Sequence, residues 1–290
     1  MIETKSRKSV KKDNSALGYP YVYDNVRCQS RAKKTKSAGK IVKLPRAAAQ
    51  QGHFLDQNPE LRAFTHKGTQ TVSGLEKTAE TLKPRLIAGA EQLGLALSER
   101  QVETLLSYQA MLLLWNKAYN LTAIREPEAV LVRHVLDCLA ILPHLPPGRL
   151  LDIGTGAGLP GAIVAIVQPE RDCVLLDTNG KKIRFLRQLA SDLKLANVTP
   201  VQARVEDPQV RAGLGAFAVV TSRAFADPLQ FVPLAQPYLQ AGGVVAAMTA
   251  QQAQAGQACP PGWHEQVCDL HIPGLQEPRH LILLSPDTRF

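Results

Sequence analysis

The chain has 290 residues, 45% of them apolar. That is enough for a sizeable core, and no apolar run is long enough to span a membrane. The cysteines (Cys28, Cys138, Cys173, Cys259, Cys268) form no Cys-x-x-Cys pair and the seven histidines show no ligand spacing. This argues against a metal site or a disulfide frame and fits a reducing cytoplasm. The net charge of +9 is local. Residues 1–80 carry 16 Lys or Arg against 7 Asp or Glu, and residues 81–290 carry 18 against 18, so overall basicity does not by itself argue for nucleic-acid binding by the larger part.

Residues 1–80 are basic and polar without a sustained period, as in "RAKKTKSAGKIVK", and are expected to be a disordered extension. The functional alternative is an arm that holds phosphates. Order is expected to begin near Thr81. "LKPRLIAGAEQLGL" has helical spacing, and Ser98 with Gln101 makes a capping-box signature ahead of Leu105, Leu106, Met111, Leu112 and Trp115. "EPEAVLVRHVLDCLAILPHL" is a third helical stretch, with Pro127 in its first turn. Residues 81–146 therefore read as a helical cap subdomain. Asn116 and Asn120 either line a cleft or end a helix, and Trp115 reads as core.

From residue 147 the pattern changes. "RLLDIG", "CVLLDT", "VTPVQA", "FAVVTS", "GVVAAMT" and "HLILLS" read as six strands, with helical segments between the early ones. This alternation predicts an α/β, Rossmann-like, doubly wound domain over 147–290.

The first strand runs into "LLDIGTGAGLPG" (150–161). No Gly-Lys-Ser/Thr follows, so this is not a phosphate loop. A dinucleotide register fits Gly156, Gly158 and Gly161. A better one starts at Asp152 and takes Gly154, Gly156 and Gly158, the form that admits S-adenosylmethionine. Glycines there let the backbone approach the amino-acid tail, and Asp152 is placed to face its ammonium or, through water, the sulfonium. Asp177 ends the second strand, where an acid binds ribose hydroxyls, and Glu206 follows the third, beside the adenine position. Helix capping is the structural alternative for both acids. Arg223 puts a cation at the edge of strand 4. No Asn/Asp-Pro-Pro-Tyr/Phe tetrapeptide follows that strand, and Cys259 lies well past strand 5.

"WNKAYNLTAIREPEAVLVRHVLDCL", "LLDIGTGAGLPG", "LLDTNGKKIRFLRQLASDLKL", "VQARVED" and "SRAFA" together resemble the RsmG (GidB) family, bacterial 16S ribosomal RNA guanine-N7 methyltransferases, over roughly residues 82–285. The resemblance implies a class I methyltransferase with a donor site that includes Gly154, Leu159, Val205, Glu206 and Arg223. Relatives often carry lysines where this chain has Thr249 and Ser285. Guanine N7 is unprotonated at neutral pH, so no general base is needed and Arg223 is the candidate catalytic residue. Arg133, His134, Lys181, Lys182, Arg184 and Arg187 are candidate RNA contacts, with a solvated helix face as the alternative for Lys181, Arg184 and Arg187. The expected partner is 16S rRNA or the small ribosomal subunit, met by a cytoplasmic monomer without metal. The other readings are a methyltransferase for another substrate, an NAD-dependent oxidoreductase, and a non-catalytic RNA-binding protein on the same fold.

Overall fold

The computed structural model describes residues 69–223, 228–250 and 259–287. The expected basic extension lies, apart from its last residues, outside them. Helix α1 (Thr69–Gln92) begins ahead of the expected start of order near Thr81. Leu82, Leu86 and Ala90 recur every fourth residue and turn one buried face inward. Helix α2 (Glu99–Tyr119) opens on the predicted capping box: Ser98 Oγ accepts from the Gln101 amide, and Gln101 Oε1 from the Ser98 amide. It closes on Asn120 in the left-handed conformation. Helix α3 (127–139) starts with Pro127 in its first turn, widens to a π-helix over Leu131–Leu136, and returns to α-helix over Asp137–Leu139.

The strands are β1 (Leu150–Ile153), β2 (Cys173–Asp177), β3 (Val198–Gln202), β4 (Phe217–Ser222), β5 (Leu239–Thr249), β6 (Trp263–Leu270) and β7 (Arg279–Pro286). Helices α4 (Gly161–Val167), α5 (Gly180–Asp192), α6 (Pro208–Leu214) and α7 (Pro228–Ala235) follow β1 to β4 in turn. The sheet order is β3-β2-β1-β4-β5-β7-β6. Pairing is parallel from β3 to β5, and β7 runs antiparallel to both its neighbours. All six predicted strands are present. The seventh, β6, is "WHEQVCDL", a polar edge strand whose outermost place needs no continuous apolar run.

The helical region does not carry a core of its own. Leu86, Tyr108, Leu112, Trp115 and Leu139 belong to one buried cluster with Ile163, Phe185 and Leu186 from the α/β part. The opposite sheet face packs separately against Phe231, Val232 and Tyr238. Helices α1–α3 thus cover one face of the sheet as a layer.

Candidate functional site

In an open α/β sheet the ligand crevice lies beyond the carboxyl ends of the strands, where the strand order reverses. Here that point lies between β1 and β4: β1 leads on to β2 on one side, β4 to β5 on the other. Gly154 follows β1 and Arg223 follows β4, so topology brings together two residues far apart in sequence.

The glycines divide into two roles. Gly154 and Gly156 are half-exposed, with φ of 68° and 60°, a backbone form that side chains disfavour. A Cβ on Gly156 would meet nothing closer than 3.9 Å, so this stretch presents open backbone. Gly158 and Gly161 serve packing instead. A Cβ on Gly158 would come 2.8 Å from Ala162 Cβ, and one on Gly161 would come 2.3 Å from Leu175 Cδ2. Gly158 belongs to both glycine registers, so the open backbone of the turn is confined to Gly154 and Gly156. Leu159 is buried behind the turn.

Asp152 does not face an open cleft. It is fully buried, and its Oδ2 accepts from Thr155 Oγ1 at 2.7 Å and from the Gly161 amide at 2.8 Å. The carboxylate ties the turn to the start of α4. Burial pushes its pKa up to about 7, against those two hydrogen bonds. From α2, Tyr108 Oη donates to the Ala157 carbonyl at 3.0 Å and braces the turn from the other side.

Asp177 sits where a ribose-binding acid belongs. Its Oδ2 accepts from the Gly156 amide at 3.0 Å and from Lys182 Nζ at 3.3 Å, and its Oδ1 from the Asn179 amide at 2.8 Å. Helix capping at α5 belongs to Asn179. Open glycine backbone with an acid at its rim fits an adenosyl donor with a cationic amino-acid tail. Val205 and Glu206 lie in the turn after β3. The Val205 carbonyl is held by Tyr238 Oη at 2.7 Å, and Glu206 is exposed. The cap of α6 is Asp207, not Glu206.

Arg223 reaches into α3. Its Nη1 is 3.2 Å from Asp137 Oδ2 and 3.3 Å from the Arg133 carbonyl, and its Nη2 is 3.1 Å from His134 Nδ1. Arg279 Nε lies 3.3 Å from the other Asp137 oxygen. His134 Nδ1 also lies 2.9 Å from the Arg133 carbonyl, so this ring nitrogen stands between a carbonyl acceptor and a guanidinium donor, and Nε2 faces Thr122 Oγ1 at 2.8 Å. Burial, and then Arg223, lower the His134 pKa to about 4, so the ring is neutral at pH 7. Burial pushes the neighbouring Cys138 thiol up to about 12, which leaves it protonated and unreactive. Asn116 Oδ1 accepts from the Thr122 amide at 2.9 Å, so Asn116 shapes the helix end and stays outside the cleft. Trp115 is core, packed edge-on against Phe185.

The RNA candidates separate. Lys181, Arg184 and Arg187 share the exposed side of α5, and Arg184 Nη1 approaches Tyr119 Oη at 3.3 Å. Lys182 turns inward to Asp177. Arg133 is part-exposed and pairs with Glu277. His134 is only 4% exposed and supports Arg223 instead of facing solvent. Sequence reasoning did not single out Asp137, Tyr108 or Arg279. The available signal was Asp137 itself, an acid inside the apolar run "VLVRHVLDCLAIL", because a buried acid requires partners.

A seven-stranded sheet with an antiparallel β7, a glycine turn after β1 and an acid at the end of β2 define a class I methyltransferase, a class that takes its methyl group from S-adenosylmethionine. Comparison with known sequences narrows this further. The chain belongs to the rRNA small subunit methyltransferase G (GidB) family, whose profile matches residues 101–282. It is 54% identical over 204 residues to "Ribosomal RNA small subunit methyltransferase G" of Acinetobacter baylyi, covering 68% of this chain and 93% of that protein. It is 49% identical over 207 residues to the protein of that name from Psychrobacter arcticus, covering 71% and 85%. Among the described residues no group of three or more His, Cys, Asp or Glu could hold a metal ion, and no helix is long and apolar enough to cross a membrane.

Proposed function

We propose that the protein methylates N7 of a guanosine in 16S ribosomal RNA, acting as a monomer on the RNA or the small subunit in the cytoplasm. The observation that carries this reading is the 54% identity across 93% of a ribosomal RNA small subunit methyltransferase G. S-adenosylmethionine supplies an activated methyl group on a cationic sulfur. Gly154, Gly156 and Leu159 form the turn that receives its amino-acid end. Asp177 takes the ribose hydroxyls, which compete with the Lys182 ammonium for its carboxylate, and Val205 and Glu206 border the base. Arg223 acts on the reacting groups at the switch point, while Lys181, Arg184 and Arg187 meet the RNA backbone, with Arg133 at the edge of the same opening.

N7 offers a lone pair and releases no proton when it accepts a methyl group. The protein's task is to align acceptor and donor, which contributes on the order of 7–11 kcal/mol in favourable systems. The titratable groups described around the site fit that task. Asp152 is bound to the turn, His134 is neutral and bonded to Arg223, and Cys138 is a protonated thiol. The direct test is to map N7-methylguanosine in 16S rRNA from cells with and without the protein. The modification should vanish with the protein, and an unchanged map would overturn the reading. The single-turnover rate at saturating donor should be nearly flat between about pH 6 and 9. Asp152 titrates inside that window, so the profile is read in Asp152→Asn as well. A slope that vanishes with the rate intact belongs to the turn. A slope that vanishes together with the rate would mark a catalytic base and an acceptor that must lose a proton.

A further inference from the structure

Four segments of the chain form one connected cluster around the Arg223 guanidinium. The segment after α2 gives Thr122, the π-helical turn of α3 gives His134 and then Asp137, β4 delivers Arg223, and β7 delivers Arg279. Asp137 is 4% exposed at its side chain and takes an arginine on each oxygen. Such a buried cluster is a poor device for stability, since removing charges from water offsets most of their attraction and apolar packing does as well. It is a good device for direction. Arg223 has a long, rotamer-rich side chain; Asp137 Oδ2 and the Arg133 carbonyl take one of its terminal nitrogens, and the His134 ring packs 3.1 Å from the other. The π-helical turn, a form frequent at functional sites, carries Arg133 and His134 and leads straight into Asp137.

We infer that Asp137 and His134 are positioning residues for methyl transfer, which fix the Arg223 guanidinium at the end of β4, and that Arg279 steadies Asp137 from the C-terminal hairpin. The inference rests on the proposed role of Arg223 in the reaction. Thr122 acts at one further remove, by holding the His134 ring through the 2.8 Å contact of its Oγ1 with Nε2. The Asn-Leu-Thr, Arg-His and Ser-Arg segments then form one connected unit.

The test is a double-mutant cycle in the full-length protein. Single-turnover rates are measured at saturating S-adenosylmethionine on small ribosomal subunits lacking the modification, with a thermal melt of each variant. Arg223→Ala should lower the rate. Asp137→Asn should lower it by roughly tenfold or more alone, and by less than about twofold when added to Arg223→Ala. His134→Gln keeps an acceptor oxygen and should retain most of the rate, whereas His134→Leu should lose it. If Asp137→Asn does not fold, the two His134 variants decide, because they leave the ion pair intact. Full additivity of Asp137→Asn with Arg223→Ala, or equal rates for His134→Leu and wild type, would overturn the positioning role while leaving Arg223 in place. An unchanged rate in Arg223→Ala would instead remove Arg223 from the reaction, and the positioning role with it.

Discussion

Gly156 and Gly161 sit five residues apart in one turn, and the structure gives them opposite liabilities. Gly161→Ala would force a methyl group to 2.3 Å from Leu175 Cδ2 and 2.9 Å from Asp152 Oδ2, so it should destabilise the fold by about 1–3 kcal/mol. Gly156→Ala meets no such wall and costs only its left-handed backbone, about 1–2 kcal/mol. Its methyl group would stand on the open side of the turn and should weaken donor binding in a folded protein. Calorimetric titration with donor, alongside melting curves, separates the two, and equal donor affinity in Gly156→Ala and wild type would remove that glycine from the site. Asp152 makes a prediction about pH. Its carboxyl is raised to about 7 in the folded protein, so the folded state holds its proton more tightly than the unfolded chain. The resulting stabilisation is present at low pH and is lost as pH rises through about 7. Between pH 5 and 8 the wild type should therefore lose stability relative to Asp152→Asn in urea denaturation. A difference independent of pH would show that Asp152 is already ionised throughout that range.

At the scale of elements, α5 presents a basic side outward and one lysine inward. Lys181, Arg184 and Arg187 are exposed at spacings of three, so their effect on RNA should be electrostatic and independent of sequence. Changing all three to Gln should reduce the salt slope of RNA affinity by up to about 0.7–0.9 for each phosphate that is no longer neutralised, with donor affinity unchanged. Filter binding across a salt series checks this, and an unaltered slope would assign α5 to solvent alone. Helix α3 shows the same division within adjacent residues. Arg133 leaves the helix toward Glu277 and His134 points into the protein, because consecutive helical side chains diverge by about 100°.

For the molecule as a whole, the helical layer and the sheet share a core. Tyr108, Leu112 and Trp115 lie in the same buried cluster as Ile163 and Phe185, and Tyr108 braces the glycine turn directly. A fragment of residues 147–290 would expose that face of the sheet. It should lack a cooperative thermal transition, and a sharp melt by circular dichroism would show the α/β part to be a self-sufficient domain. In a Trp263→Phe background, which leaves Trp115 of the helical layer as the fluorescent tryptophan, the intact protein should unfold through a single transition for fluorescence and far-UV signal, since most strands are in the other layer.

How much of this was written in the sequence depends on the range of the interactions involved. The capping box at Ser98, Pro127 in a first helical turn, the six apolar strands and the glycine turn with Asp177 were all legible, because each depends on neighbours a few residues away or on hydrophobic period. The edge strand β6 was not, since its outermost place removes the need for an apolar run. Neither were the roles of Asp152, Lys182 and His134, which read as ligand contacts and prove to be tied to Thr155, Asp177 and Arg223. Whether a charged side chain meets solvent or a partner is decided by groups that only folding brings near. Asp137 and Arg223 are 86 residues apart, and the reversal of strand order at β1 and β4 is what closes that distance. The class of chemistry is already carried by the glycine turn and its acids, a local pattern that survives without the fold. Which charges face the crevice and which hold it in shape is settled by folding, because that choice depends on desolvation and on pairing between distant segments.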